Sequence, residues 1–250
     1  METTDDAVLG GRLRLLQPKR GHRVGHDAIL LAAATGGRAG EHAVDFGAGI
    51  GGAGLALAVR VPGLRVTLVE IDRTLCELAQ QNAQRNMLSD RVKGVAADVG
   101  DGAALAAAGL RESSVDRVLM NPPFNDPARQ QSSPDARRRL AHVADKDLLS
   151  RWLASAALLL KPGGTVTVIW RAAALDDVIA ALASAFGAIA VLPVLPRPDA
   201  EPVRVLVRAV KGGAGRLPDT PALVLNDALG KPSQAAEAVL REAQPLALAD

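Results

Sequence analysis

Two short stretches of this 250-residue chain combine residue types that bind or transform a ligand. The first is Asp45-Phe46-Gly47-Ala48-Gly49-Ile50-Gly51-Gly52. Glycines let a backbone turn sharply and come close to a ligand, and the N–H groups opening the next helix attract anionic or polar groups. Gly49, Gly51 and Gly54 match G-x-G-x-x-G. Glu70 follows about 20 residues on, where a carboxylate accepts hydrogen bonds from ribose hydroxyls. Alone, this pattern fits NAD, FAD or a nucleoside cofactor such as S-adenosylmethionine. Asp45 immediately precedes the glycines; a carboxylate there sits poorly beside a pyrophosphate but suits a cationic ammonium or sulfonium. Asp98 closes a later apolar segment, where an acid meets an adenine amino group. Both favour the nucleoside cofactor.

The second stretch is Asn121-Pro122-Pro123-Phe124. The Asn121 side-chain oxygen and the Pro122 carbonyl can each accept one N–H of an exocyclic amine. The prolines fix φ and leave that carbonyl oriented, while Phe124 can stack on a planar ring. An adenine amine is delocalised into its ring and is a weak nucleophile. Two acceptors draw its nitrogen toward tetrahedral geometry and aim its lone pair at an electrophilic methyl. Positioning and electrostatics carry such a step without a metal or a strong base. A stacked base must first leave its stack.

These residues need a frame that brings them together. Apolar segments at 42–46, 66–70, 92–97, 117–120, 165–170 and 203–209 read as short buried strands bounded by turn signals. Helical stretches lie between them at 51–59, 73–85, 147–160 and 175–185, and a further helix is expected at 233–242. The alternation predicts βα units around a parallel sheet. The expected fold is one α/β domain: a lead-in over 1–34, a core over 35–211 and an extension over 212–250. The interval 121–146 breaks the rhythm. It is polar, follows a strand directly, and is expected to be a loop at the carboxyl edge of the sheet, where ligands bind.

Composition narrows the function. Apolar residues make up 48% of the chain, enough for a real core, but 47 residues are Ala while Phe, Trp and Tyr number 3, 2 and 0. So few rings exclude a platform on which successive bases stack. A single cysteine, Cys76, excludes a disulfide framework and a cysteine-based zinc site within one chain; it reads as packed, as do Trp152 and Trp170. His22, His42 and His142 show no metal spacing. The start of the chain is acidic, with no signal peptide, and no apolar run approaches a membrane span. A cytoplasmic protein is expected. Basic and acidic residues nearly balance, at 29 and 27, so placement matters more than the sum. Arg129, Arg137, Arg138 and Arg139 form one basic segment; Arg197, Arg204, Arg208, Lys211 and Arg216 form another.

Four motifs in register carry a resemblance. Asp45-x-Gly47-x-Gly49, Glu70, Asp98 and Asn121-Pro122-Pro123-Phe124 resemble the cofactor loop, ribose acid, adenine contact and catalytic tetrapeptide of class I S-adenosylmethionine-dependent methyltransferases acting on amino nitrogens. The lead-in from Lys19 to Ala32, with Gly25-His26-Asp27 before an apolar helix, resembles bacterial enzymes that methylate adenine N6 in valine tRNA. This likeness extends over about 13–242, most weakly outside the central motifs. It implies a Rossmann-like, seven-stranded, mostly parallel sheet ending with one antiparallel strand, for which 203–209 is the candidate. It implies S-adenosylmethionine held by Asp27, Asp45, Gly47, Gly49, Glu70, Asp98 and Asn121. Asn121, Pro122 and Phe124 are then catalytic, and Phe124, Arg137, Arg138 and Arg139 bind substrate, the arginines through RNA phosphates. His26 stands where many members carry Thr, and Asn125-Asp126 where relatives often carry an aromatic residue. The expected substrate is tRNA adenine, with no metal. Protein glutamine, rRNA or a small molecule as substrate, an NAD-binding oxidoreductase and a non-catalytic cofactor-binding module remain as alternatives.

Overall fold

The computed structural model describes residues 1–20, 23–123, 135–218 and 220–249, the side chains of 135–145 excepted. The chain opens with an antiparallel hairpin, β1 (Thr3–Val8) and β2 (Leu13–Pro18), followed by helix α1 (His26–Ala34). Five βα steps follow: β3 (His42–Phe46), α2 (Gly52–Arg60), β4 (Arg65–Glu70), α3 (Arg73–Arg85), β5 (Val92–Ala96), α4 (Gly102–Ala107), β6 (Val115–Met120), α5 (Asp135–Leu159), β7 (Leu160–Arg171) and α6 (Leu175–Leu182). The chain continues with β8 (Phe186–Leu195), β9 (Arg204–Lys211), β10 (Leu223–Val224) and α7 (Gln234–Leu240).

The main sheet has the order β10-β8-β9-β7-β6-β3-β4-β5. All its pairings are parallel except those of β9 with β7 and β8. The mostly parallel α/β architecture is as expected, with two corrections of detail. The described sheet has eight strands rather than seven. The antiparallel strand is also not the terminal one: the two-residue β10 adds beside β8 in parallel.

Two cores cover the two faces of the sheet. Leu and Ala from α1, α2 and α3, together with Leu13 and Leu15 of β2, fill one. The small side chains of Ala32, Ala33, Ala53 and Ala56 let α1 and α2 lie close together there. Phe46, Trp152, Trp170 and Phe186, every described aromatic residue, fill the other with α5 and α6. Asp72 and Asp101 cap α3 and α4, each side chain accepting two N–H groups of the first turn.

The tail closes over α1. Leu246 N donates to Ala33 O at 2.8 Å. A β carbon at Gly36 would lie 2.3 Å from the Ala249 carbonyl oxygen. Arg12 of the hairpin connection donates to Arg241 O. No described helix is long and apolar enough to cross a membrane.

Candidate active site

The four strands β6, β3, β4 and β5 lie side by side in parallel, so their carboxyl ends form one row. Asn121 follows β6, the glycine loop follows β3, Glu70 ends β4, and Asp98 lies just beyond β5. The sheet thus gathers motifs far apart in the sequence along one edge.

The loop after β3 is held by a set of specific bonds. Ala48 N donates to Val69 O at 2.9 Å and Gly51 N to Ala48 O at 2.8 Å. Gly49 N donates to Glu70 Oε2 at 2.8 Å. Gly49 has φ 56, and no heavy atom lies within 4 Å of the position a β carbon would take. That open face is where a ligand can approach the backbone. Gly54 does different work: a β carbon there would stand 2.3 Å from Leu68 Cδ2, so its absence lets α2 sit against β4.

Glu70 is 8% exposed, and its Oε1 accepts from Asp72 N at 2.9 Å while Oε2 holds Gly49. Each carboxylate oxygen has two lone pairs, so Glu70 retains capacity for hydroxyl donors. Asp98 is half-buried and forms a tight local turn, its Oδ1 accepting from Gly100 N at 2.8 Å.

Asp45 is buried rather than displayed. It is 2% exposed, its Oδ2 accepts from Gly54 N at 2.8 Å, and its other oxygen has no partner among the described residues. Burial, and secondarily the charge of Glu70, push its carboxyl up to about 7, against the opposing pull of the Gly54 N–H. It ties α2 to β3 from within.

Asn121 is half-buried, and its side-chain amide makes no hydrogen bond to the described residues. Pro122 beside it is buried. Phe124 lies outside the described residues. So do the side chains of Arg137, Arg138 and Arg139, although their backbone belongs to α5. This corrects the latter part of the expected loop over 121–146: the described residues from Asp135 onward are already helical, well before residue 147. The segment 135–146 holds three Ala and three Arg, strong helix formers, and its overall polarity concealed that preference.

Asp27 lies in the first turn of α1, and its Oδ2 pairs with Arg204 Nε at 3.0 Å. Arg204 opens β9 opposite Arg171, where β7 ends, so the pair stands at the same edge of the sheet as Asn121. Arg208 pairs with Thr167 farther down that ladder, away from the edge.

Three participants are not apparent from the sequence. Trp152, expected only as core, packs its ring against Gly47. Ile71, next to Glu70, is 67% exposed, a large apolar group left open beside the cofactor candidates. Val24 lies over Gly52, where a β carbon would be 2.6 Å from Val24 Cγ2. Only Ile71 has a visible signal, its place directly after the acid that ends a strand. Among the described residues, no three His, Cys, Asp or Glu side chains cluster to hold a metal ion.

Comparison with known proteins gives a consistent picture. The model of the methyltransferase small domain matches residues 26–193. A tRNA1(Val) (adenine(37)-N6)-methyltransferase from Porphyromonas gingivalis is 31% identical over 216 residues, 83% of each chain. A relative of the same name from Bacteroides fragilis is 31% identical over 188 residues, 74% of this chain and 76% of its own. Among solved structures, a predicted O-methyltransferase from Agrobacterium tumefaciens is 28% identical with a TM-score of 0.71, covering 85% of this chain and 94% of that one.

Proposed function

The chain belongs to the methyltransferase small domain family, and from that premise we propose that it transfers a methyl group from S-adenosylmethionine to the exocyclic N6 of adenine in tRNA. The observation that carries this reading is the half-buried, unpartnered Asn121 amide beside buried Pro122, on the same sheet edge as the open face of Gly49.

The residues of the edge fit the cofactor. Gly49 offers its backbone, Glu70 retains lone pairs for ribose hydroxyls, Asp98 serves the adenine amine, and exposed Ile71 gives an adenine ring an apolar surface. Gly47 shapes the loop against Trp152. Asp27, engaged with Arg204, closes the site from the α1 side. Asp45 acts from beneath through Gly54, favouring a cationic ligand when ionised. When bound, S-adenosylmethionine supplies an electrophilic methyl on a sulfonium.

The chain's own work is then to present the amine. The Asn121 oxygen and the Pro122 carbonyl each accept one amino N–H, which localises the nitrogen lone pair. Phe124 stacks on the extruded base. Because the sulfonium charge disappears during transfer, holding the two reactants in line matters more than adding anions. Arg137, Arg138 and Arg139 contact RNA phosphates near the site. The names of the relatives support adenine in tRNA as the substrate, and a cytoplasmic location follows from that substrate. The Asn-Pro-Pro-Phe tetrapeptide supports nitrogen rather than oxygen as the acceptor.

The test is methyl transfer from labelled S-adenosylmethionine into separate tRNA, ribosomal RNA, protein and metabolite fractions, followed by nucleoside analysis. Label in N6-methyladenosine from tRNA is expected. Label confined to protein or to small molecules would overturn the substrate, and tight NAD binding would overturn the cofactor.

A further inference from the structure

We infer that Asn82 is a positioning residue for the cofactor loop, locking one of its peptides against the N-terminal hairpin; this rests on the reading that the glycine loop holds S-adenosylmethionine. Asn82 is fully buried within α3. Its Oδ1 accepts from Leu16 N at 2.7 Å, and its Nδ2 donates to Leu16 O and to Ile50 O, each at 3.1 Å. The Leu16 pair is what a neighbouring strand would make, so the side chain substitutes for a strand edge.

One turn along the helix, Asn86 repeats the device. Its Oδ1 accepts from Arg14 N at 2.9 Å and its Nδ2 donates to Arg14 O at 2.8 Å. Spaced four apart, the two asparagines share one helix face and dock alternate residues of β2. They differ in one respect. Asn86 spends its extra donor on the Asn82 carbonyl of its own helix. Asn82 reaches across to Ile50, between Gly49 and Gly51.

That bond matters because of where Ile50 lies. Gly49 and Gly51 have φ 56 and 89, and glycines on both sides leave the intervening backbone free to rotate. The peptide joining Ile50 to Gly51 is nevertheless held at both poles: its oxygen by Asn82, its N–H by the Ala48 carbonyl. Gln17 adds a second tie from the hairpin. It accepts from Val24 N at 2.8 Å, and Val24 packs on Gly52. A loop ordered before its ligand arrives loses less freedom on binding. The hairpin therefore contributes to cofactor affinity although it stands outside the main sheet.

The twin asparagines supply their own control. Calorimetric titration of the full chain with S-adenosylmethionine and S-adenosylhomocysteine should compare the parent with Asn82→Ala and Asn86→Ala. Both variants are expected to lose thermal stability by loosening β2. Only Asn82→Ala is expected to lose cofactor affinity, about tenfold, with the KM for cofactor raised and kcat little changed. Equal affinity in the two variants, with the parent binding normally, would overturn the inference and leave Asn82 as a hairpin anchor. A parent that binds neither compound would overturn the cofactor reading itself, and the inference with it. Should Asn82→Ala not fold, Asn82→Ser carries the same comparison, because its hydroxyl can bond a carbonyl of its own helix.

Discussion

The ring of Trp152 occupies the space that any side chain at Gly47 would need: a β carbon there would stand 2.4 Å from ring atom Cη2. Trp152 belongs to α5 and also meets Phe46 edge-on, with ring centroids 6.3 Å apart. The helix that follows the Asn-Pro-Pro-Phe tetrapeptide is thereby wedged against the glycine loop. Gly47→Ala should suffer twice, from a φ of 67 that disfavours L residues and from the collision with the indole. We expect a loss of about 2–4 kcal/mol in urea denaturation. A loss under about 0.5 kcal/mol would mean that α5 shifts freely.

The same packing makes the protein its own reporter. The chain has two tryptophans and no tyrosine, and Trp170 lies in the sheet interior. Titration with S-adenosylmethionine should change the emission of the parent and of Trp170→Phe. Trp152→Phe should lose that change. A signal that persists in Trp152→Phe would place the response at Trp170.

Asn121→Ala removes the side chain whose amide is left unpartnered at the sheet edge. Methyl transfer should fall about 100-fold or more, with cofactor affinity within a factor of about three. Turnover that survives the change would contradict its role in holding the amine.

Strand β3 carries two groups whose titrations oppose each other. Burial pushes the Asp45 carboxyl up to about 7, so the native state keeps a proton that the unfolded chain has released. The associated stability is present at acid pH and is lost as pH rises from about 4 through about 7. Burial pushes His42 down to about 4, with nearby Arg65 and Lys93 adding to the effect. The unfolded chain then takes up a proton that the native state refuses, so stability is lost as pH falls from about 6.5 toward about 4. The two slopes offset each other in the parent. Asp45→Asn can still accept the Gly54 N–H, and its melting temperature should gain on the parent's as pH rises. His42→Gln should show a flatter acid limb. Parallel pH profiles for all three proteins would contradict both assignments.

Changing Arg137, Arg138 and Arg139 together to Ala should weaken tRNA binding and flatten its dependence on salt, by about one unit of slope for each phosphate no longer neutralised. Unchanged affinity and slope in filter binding would remove these residues from the RNA surface.

Much of the fold was legible because parallel strands and their helices leave a strong local pattern. The segments ending at Phe46, Glu70 and Met120 are short apolar runs closed by turn or motif residues, and each is a strand. Strand β8 was not legible. Its Ala188, Ala190, Gly187 and Pro193 have low strand preference, and it is a strand because β9 pairs along one side while 217–225 bonds to its other edge. The hairpin hid for another reason: Thr-Thr-Asp-Asp is polar, and its acids are satisfied by Arg14 of the facing strand and by Arg23 and Arg85 from outside the hairpin. In the site, residue types revealed the chemistry but not the depth. Asp45 reads the same in sequence whether it is displayed or buried. Asn82 is an ordinary polar residue in a polar helix until Leu16 and Ile50 are brought to it.

The seal over α1 bears on how the protein is made. That helix forms early in synthesis, with Ile29 to Ala34 apolar throughout. Its covering includes Leu246 and Ala249, which emerge from the ribosome only after every strand of the sheet. Until then a run of leucine and alanine stays partly uncovered on the nascent chain, a feature that invites chaperone binding. The row of strand ends that carries the residues from Asp45 to Asn121 can therefore be assembled while α1 is still partly uncovered. A polar substitution at Leu246, distant in sequence from the glycine loop, is then expected to lower the yield of folded protein on expression.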